Sequence, residues 1–156
     1  MPFDPVALTD VPRRHPVRAM HDAWMRMRGA ARAPAWHGFD PVDHPTLLTW
    51  ILLARGRLDL PDYGFSWVLN GEGVCDLLGF RPKDVVFGSL MPAADYRTRI
   101  DSVRSVLDGG PPFVARLRVP VEGREHVTAY EGEFPFLGES AAVCLICLIA
   151  PDDATV

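Results

Sequence analysis

The ten residues Ala141 to Ala150, AAVCLICLIA, carry no charge and no strong hydrogen-bonding side chain. The run is too short to cross a bilayer, and its Val, Ile, Leu and Cys content predicts a strand buried on both faces. Such a strand lies inside a sheet, and both faces of that sheet need a cover, from helices of this chain or from another molecule. The last third of the chain is therefore expected to form the middle of a sheet.

With 156 residues and 48% hydrophobic side chains, the chain is sized for one domain with a substantial core. Its 13 Gly and 15 Pro form no repeat, which points to tight loops. A formal net charge of −4 argues against general nucleic-acid binding. Charge is uneven: residues 1–32 hold six Arg against three Asp, and the remainder is correspondingly acidic. A solvated helix face accounts for the basic stretch; contact with an acidic partner or anionic lipid is the sharper alternative. Cys75, Cys144 and Cys147 lack metal-type spacing. Three apart on a strand, Cys144 and Cys147 face opposite sides and read as small core hydrophobes in a reducing compartment. Met1 to Pro12 has two Asp, three Pro and no basic residue, unlike a secretory leader. No membrane span is expected, and the expected localisation is cytoplasmic.

Residues 1–16 are Pro-rich and non-periodic and read as an extended arm. Val17 to Arg28 has helical period, with Val17, Met20, Trp24 and Met27 on one stripe and Gly29 as the stop. In FDPVDHPTLLTWILLARG, Asp40 or Asp43 offers an N-cap and prolines stand near the first turn. Leu47 to Leu53 then suggests a helix carrying Trp50, apolar nearly all round and lodged between the sheet and something else. Residues 17–56 are thus expected to be a helical extension on a core of residues 57–151, with 152–156 as a tail.

From Asp62 the period changes. Tyr63 to Asn70 reads as a strand, and Val74 to Leu78 and Pro82 to Phe87 as short helical turns bounded by Gly79 and Gly88. Pro92 to Asp108 is a longer helix, with Tyr96, Ile100, Val103 and Leu107 inward and Arg97, Arg99, Asp101 and Arg104 on the wet side. Phe113 to Val119 alternates as a half-buried strand, Glu122 to Glu125 makes a turn, and Val127 to Phe136 returns as its partner.

This order of elements resembles the PAS domain family, most closely its stand-alone members in alphaproteobacteria. The resemblance rests on the FDPVDHPTLL segment, the YGFSWVLNGEGVCDLLGFRPKDVVFGSLMP block, the REHVTAYEGEFPF strand and the apolar final strand, covering about residues 39 to 150. It implies an α+β fold: a PAS-like five-stranded antiparallel sheet in spatial order 2-1-5-4-3, the final strand central. Short helices and one longer helix lie on one face, with the N-terminal helices covering the sheet. PAS domains sense small ligands or cofactors and dock partners, so fold alone does not choose a role.

Cofactor and catalytic patterns fail one by one. The long helix has no histidine to ligate haem, and Cys75 in GVCDLLGF lacks the flanking residues of a photoreactive flavin site. His37, Asp40, Asp43 and His44 are split by Pro41 and Pro45 and read as loop and capping residues, so no metal site is expected. His21 and Asp22, adjacent on a helix, are expected to diverge; His15 belongs to the arm and His126 to a strand edge. The serines lack a nucleophile-elbow context, and no Gly-rich phosphate loop precedes a helix. Glu131 and Glu133, two apart on one strand face, read as a solvated or partner-facing edge.

Trp67, Cys75, Val86, Leu90, Ile100, Phe113, Leu117 and Tyr130 remain as a candidate ligand pocket, against the plainer reading that they fill the core. Val17, Met20, Trp24, Met27 and Trp50 are the candidate interface, and a homodimer is one way to complete the cover. The expected function is a stand-alone PAS-like signalling regulator, not an enzyme and without an effector segment in these residues. It acts through a signalling protein partner and senses a small molecule. A small cone-shaped α+β enzyme or ligand carrier, and a purely structural dimerisation module, are the alternatives.

Overall fold

The computed structural model describes residues 3–89, 91–119 and 121–156. Six strands form one antiparallel open sheet: β1 (Phe3–Pro5), β2 (Ile51–Arg57), β3 (Ser66–Asn70), β4 (Phe113–Arg118), β5 (Thr128–Leu137) and β6 (Ala142–Pro151), in the order β1-β4-β5-β6-β2-β3. Three α-helices cover it: α1 (Pro16–Arg28), α2 (Glu72–Leu78) and α3 (Ala93–Leu107). No helix among the described residues is long and apolar enough to cross a membrane.

The apolar run at the C-terminal end is an interior strand, and from Val143 to Ala150 no residue is more than 2% exposed. Its even residues, Cys144, Ile146, Leu148 and Ala150, pack with Val17, Met20 and Trp24 of α1. Its odd residues, Val143, Leu145, Cys147 and Ile149, pack with Val74 and Leu78 of α2 and Ile100 and Val103 of α3. Each face thus has its own helical cover, as a doubly apolar strand requires.

The sequence order places the Tyr63 to Asn70 strand and the Val127 to Phe136 strand on either side of Ala141 to Ala150, and one of these neighbours differs. β6 pairs with β5 and with β2, not with the strand ending at Asn70, which is β3 at the sheet edge. The expected helix around Trp50 is a correction of the same kind. Only the one-turn helices Pro41–Asp43 and Leu48–Trp50 form, and Ile51–Arg57 is a strand. Ile51 and Leu53 face α1 while Leu52 and Ala54 face α2 and α3, so the run is apolar all round because it is sheet interior. Residues 17–56 are therefore not a helical extension. Gly56 fits the crossing to β3, where a Cβ would meet the Tyr63 carbonyl at 2.5 Å.

The N-terminal arm is also folded: β1 pairs with β4, and Val11 is 2% exposed. At its end His15 caps α1, its Nδ1 accepting from the Val17 amide at 3.1 Å, with Pro16 at the first helical position. The same ring lies 2.9 Å from the Pro151 carbonyl through Nε2, and with Nδ1 accepting, Nε2 is the donor. The C-terminal residues are tied back, with the Val156 amide donating to the Arg14 carbonyl at 2.9 Å.

Val17, Met20 and Trp24 are fully buried inside the chain, and Met27 is half-buried. Trp24 Nε1 donates to the Pro135 carbonyl at 2.9 Å. Close approach of α1 depends on Gly132, where a Cβ would lie 2.6 Å from the Phe134 ring and 3.1 Å from Val17. The stripe is spent on β5 and β6 and is not a surface for a second protomer. Trp50, half-buried, wedges between the two core clusters at the start of β2.

Candidate functional site

Alternation along β5 places Ala129, Glu131 and Glu133 on the α3 side and Tyr130, Gly132, Phe134 and Phe136 on the α1 side. The glutamates are 2% and 1% exposed, so the solvated edge expected for them is corrected. Arg99 of α3 is likewise not on a wet face. The buried face of α3 is Arg99, Ile100, Val103 and Val106, turned by about one residue from the stripe through Tyr96 and Leu107.

Arg99 joins the helix to the strand. Its Nη1 donates to Glu131 Oε1 at 2.6 Å and to Glu133 Oε1 at 2.5 Å, and its Nη2 donates to Glu131 Oε2 at 2.6 Å. The guanidinium carbon sits 4.8 Å from the centre of the Phe3 ring, so β1 also packs against the cluster. Burial opposes the charge on Arg99, but the two carboxylates outweigh it and hold its pKa well above the ordinary value. One guanidinium cannot neutralise two carboxylates. Burial pushes the Glu133 carboxyl up to about 7, against the pull of Arg99 and with the charge of Glu131 adding to the rise. Glu133 Oε2 and Arg99 Nε are buried without a hydrogen-bond partner among the described residues.

Cys147 of β6 lies against this cluster, and burial first, then Glu133 and Glu131, raise its thiol well above the ordinary value. Each of these effects favours the neutral thiol over the thiolate. Glu131, Glu133 and Cys147 bring donor atoms within 4.8 Å of one another, a set that suits a cation by type. The cation placed between the two carboxylates is Arg99 itself.

Above the cluster is a cavity of about 50 Å³. Arg99 and Glu131 are its charged members; Leu52 and Ile149 of the sheet, Leu78 of α2 and Phe87 of the following loop supply apolar wall. Of the candidate pocket residues, Trp67 and Val86 line it. Ile100 and Leu117 are filled core, and Phe113 packs edge-on against Phe3 with ring centres 5.7 Å apart. Cys75 is half-buried on α2, away from the lining. Tyr130 belongs to the other face, its hydroxyl donating to the Asp10 carbonyl at 3.2 Å. Leu90 lies outside the described residues.

Asp40 and His15 have structural roles. Asp40 caps the turn after it, accepting from the Val42 amide at 2.9 Å. His21 and Asp22 do meet, at 3.3 Å, which corrects the expected divergence; the Asp22 side chain is 65% exposed and the pair borders no cavity named above. His15, expected in a free arm, is buried, and burial lowers its pKa while its bonds to the end of β6 oppose that. Among the described residues, the charged cluster and the cavity above it are thus the strongest candidate site. Compared with known proteins, the chain matches no family model and no curated sequence.

Proposed function

We propose that the chain is a PAS-like signalling regulator of the cytoplasm that acts by contact with another protein and senses a small ligand. Strand order carries this reading. With β1 set aside, the remaining five strands counted along the chain run 2-1-5-4-3 across the sheet, starting from β3. Both α2 and α3 fall between the second and third of these strands and lie on one face, above the cavity. A buried ion cluster at the cavity floor supports ligand sensing, because an occupant there bears on the contact that ties α3 to β5.

The contact surface in this reading is not α1, whose apolar stripe is consumed internally. Strand β3 is the better support: it ends the sheet, and Val68 and Leu69 on it are 37% and 47% exposed. Ser66 to Asn70 carries no charge and no proline, the usual guards of an edge strand.

Native mass spectrometry of the purified chain, with an absorption spectrum, tests the proposal. The expected result is an assembly with a second copy or a defined protein, reduced to a monomer by Val68→Lys, and no haem or flavin band. A wild-type monomer at micromolar concentration that behaves as the variant does, alone and with cell extract, contradicts it.

A further inference from the structure

We propose that a second cavity, on the α1 side of the sheet and lined by Arg55, Glu139 and Trp36, takes a zwitterion of the free α-amino-acid type with an uncharged side chain. Its volume is about 620 Å³, inside the range of about 300–1,000 Å³ usual for small-molecule sites. It lies on the opposite face from the cavity over Arg99, so the inference does not rest on the ligand reading of that site. Three stretches of chain meet around it. From β2 and β6 come Arg55 and Cys144, which stand directly across from each other. Alternation puts Arg55 on the face of Ile51 and Leu53, and its guanidinium sits beside the Cys144 thiol, opposing the rise that burial gives that thiol. From the chain after α1 come Ala35 and Trp36, held beside the end of β5 because the Leu137 amide donates to the Pro34 carbonyl at 2.9 Å. The Trp36 ring is fixed there by stacking on Phe39, with centres 5.7 Å apart, and by edge contact with Phe136 at 5.5 Å. From the turn between β5 and β6 comes Glu139.

The charges decide the ligand class. Arg55 and Glu139 are exposed and both line the cavity. Among the described residues neither is in an ion pair, with the other or with any third group. A guanidinium without a carboxylate offers its fork of donors to one, and a carboxylate without a cation accepts from an ammonium group. A simple anion answers Arg55 and faces the like charge of Glu139; a simple cation answers Glu139 and faces Arg55. A molecule with a carboxylate and an ammonium answers both and leaves the net charge unchanged. Trp36, Leu137 and Ala142 give the same cavity apolar surface, which suits an uncharged side chain.

NMR titration of the full chain with norvaline, pentanoate and butylammonium tests this, because the second probe lacks only the ammonium of the first and the third only its carboxylate. The observed signals are the Trp36 indole N–H and the methyls of Ala35 and Ala142. Norvaline is expected to shift them saturably, to bind roughly tenfold or more tightly than either other probe, and to leave the methyls of Leu78 and Ile149 on the opposite face unmoved. Arg55→Gln is expected to erase its advantage over butylammonium, and Glu139→Gln its advantage over pentanoate. Both side chains are exposed, so neither change is expected to move the melting temperature; should one variant fail to fold, the other carries the test. Pentanoate or butylammonium binding the wild type as tightly as norvaline overturns the zwitterion, and so does an advantage that survives its matching change. A saturable response to none of the three probes overturns the site itself. None of these outcomes bears on protein contact through β3 or on the cavity over Arg99.

Discussion

Arg99 and Glu131 meet end-on across the space between α3 and β5, through two hydrogen bonds of 2.6 Å each, in a place where both side chains are almost wholly dry. Two fully desolvated charges are costly to bury and far more costly to separate. Replacing Arg99 with Met leaves two carboxylates without their cation. It is expected to lower stability by about 3–5 kcal/mol near neutral pH, measured by urea denaturation. Replacing all three residues with apolar ones of similar size is expected to restore most of that loss. An Arg99→Met protein of wild-type stability would show that the cluster contributes nothing to folding.

Glu133 gives the protein a pH dependence of known sign. Its carboxyl is raised to about 7 in the folded chain from 4.5, so between those values the folded state binds more protons than the unfolded state. Stability is therefore highest below pH 4.5 for this group, falls as pH rises towards 7 and levels off above. Glu133→Gln is expected to remove the fall. The comparison is wild type against variant in urea at pH 5 and at pH 8, and an equal drop in both proteins would contradict the assignment.

His15 works in the opposite direction. Neutral, it caps α1 through Nδ1 and donates to Pro151 through Nε2; protonation destroys the cap. Its pKa is lowered from 6.5, chiefly by burial, so the unfolded state gains a proton first and stability is lost as pH falls below 6.5 towards the folded value. In a Glu133→Gln background the melting temperature is expected to drop on acidification from pH 7 through 6, and the further change His15→Asn, which keeps a cap, is expected to flatten that part of the drop.

Trp24 is 0% exposed and hydrogen-bonded to β5. Trp24→Ala is expected to cost about 3–5 kcal/mol with no concentration dependence, because the loss lies within one chain. Trp24→Phe, which keeps much of the ring volume and loses the Nε1 donor, is expected to cost less. A loss that depends on protein concentration would place the residue at a subunit seam instead.

What the sequence disclosed follows from which signals are unique. Ala141 to Ala150 has a single reading because ten apolar residues with β-branched members and no cap suit only a dry strand. Leu47 to Leu53 carries nearly the same signal, but Asp43 and Pro45 before it imitate a helix start, so an apolar run of the kind that means a strand at the C-terminal end suggests a helix here. The α1 stripe is legible through its period, but period alone leaves open whether it covers the sheet of its own chain or a second protomer; the structure packs it on β5 and β6.

The charged cluster was hidden because charge on a helix or strand ordinarily means water. A signal for it existed. Once β5 adjoins a strand with two dry faces, Glu131 and Glu133 on a face opposite Tyr130, Phe134 and Phe136 must also be dry and need a cation. Choosing Arg99 from the arginines of α3 requires the crossing geometry of helix and sheet, which no one-dimensional pattern contains. The three-residue β1 is too short to register as a strand in the sequence.

Contact with another protein through the sheet edge at β3 is tested by placing a photocrosslinking amino acid at Val68 in the full chain and irradiating living cells. Mass spectrometry then maps the attached peptides, with the buried position Ile146 as control. One recurrent adduct from Val68 is expected, to a second copy or to a single signalling protein, which Leu69→Lys suppresses and which Ile146 does not give. A folded protein that yields no recurrent adduct from Val68 would contradict it.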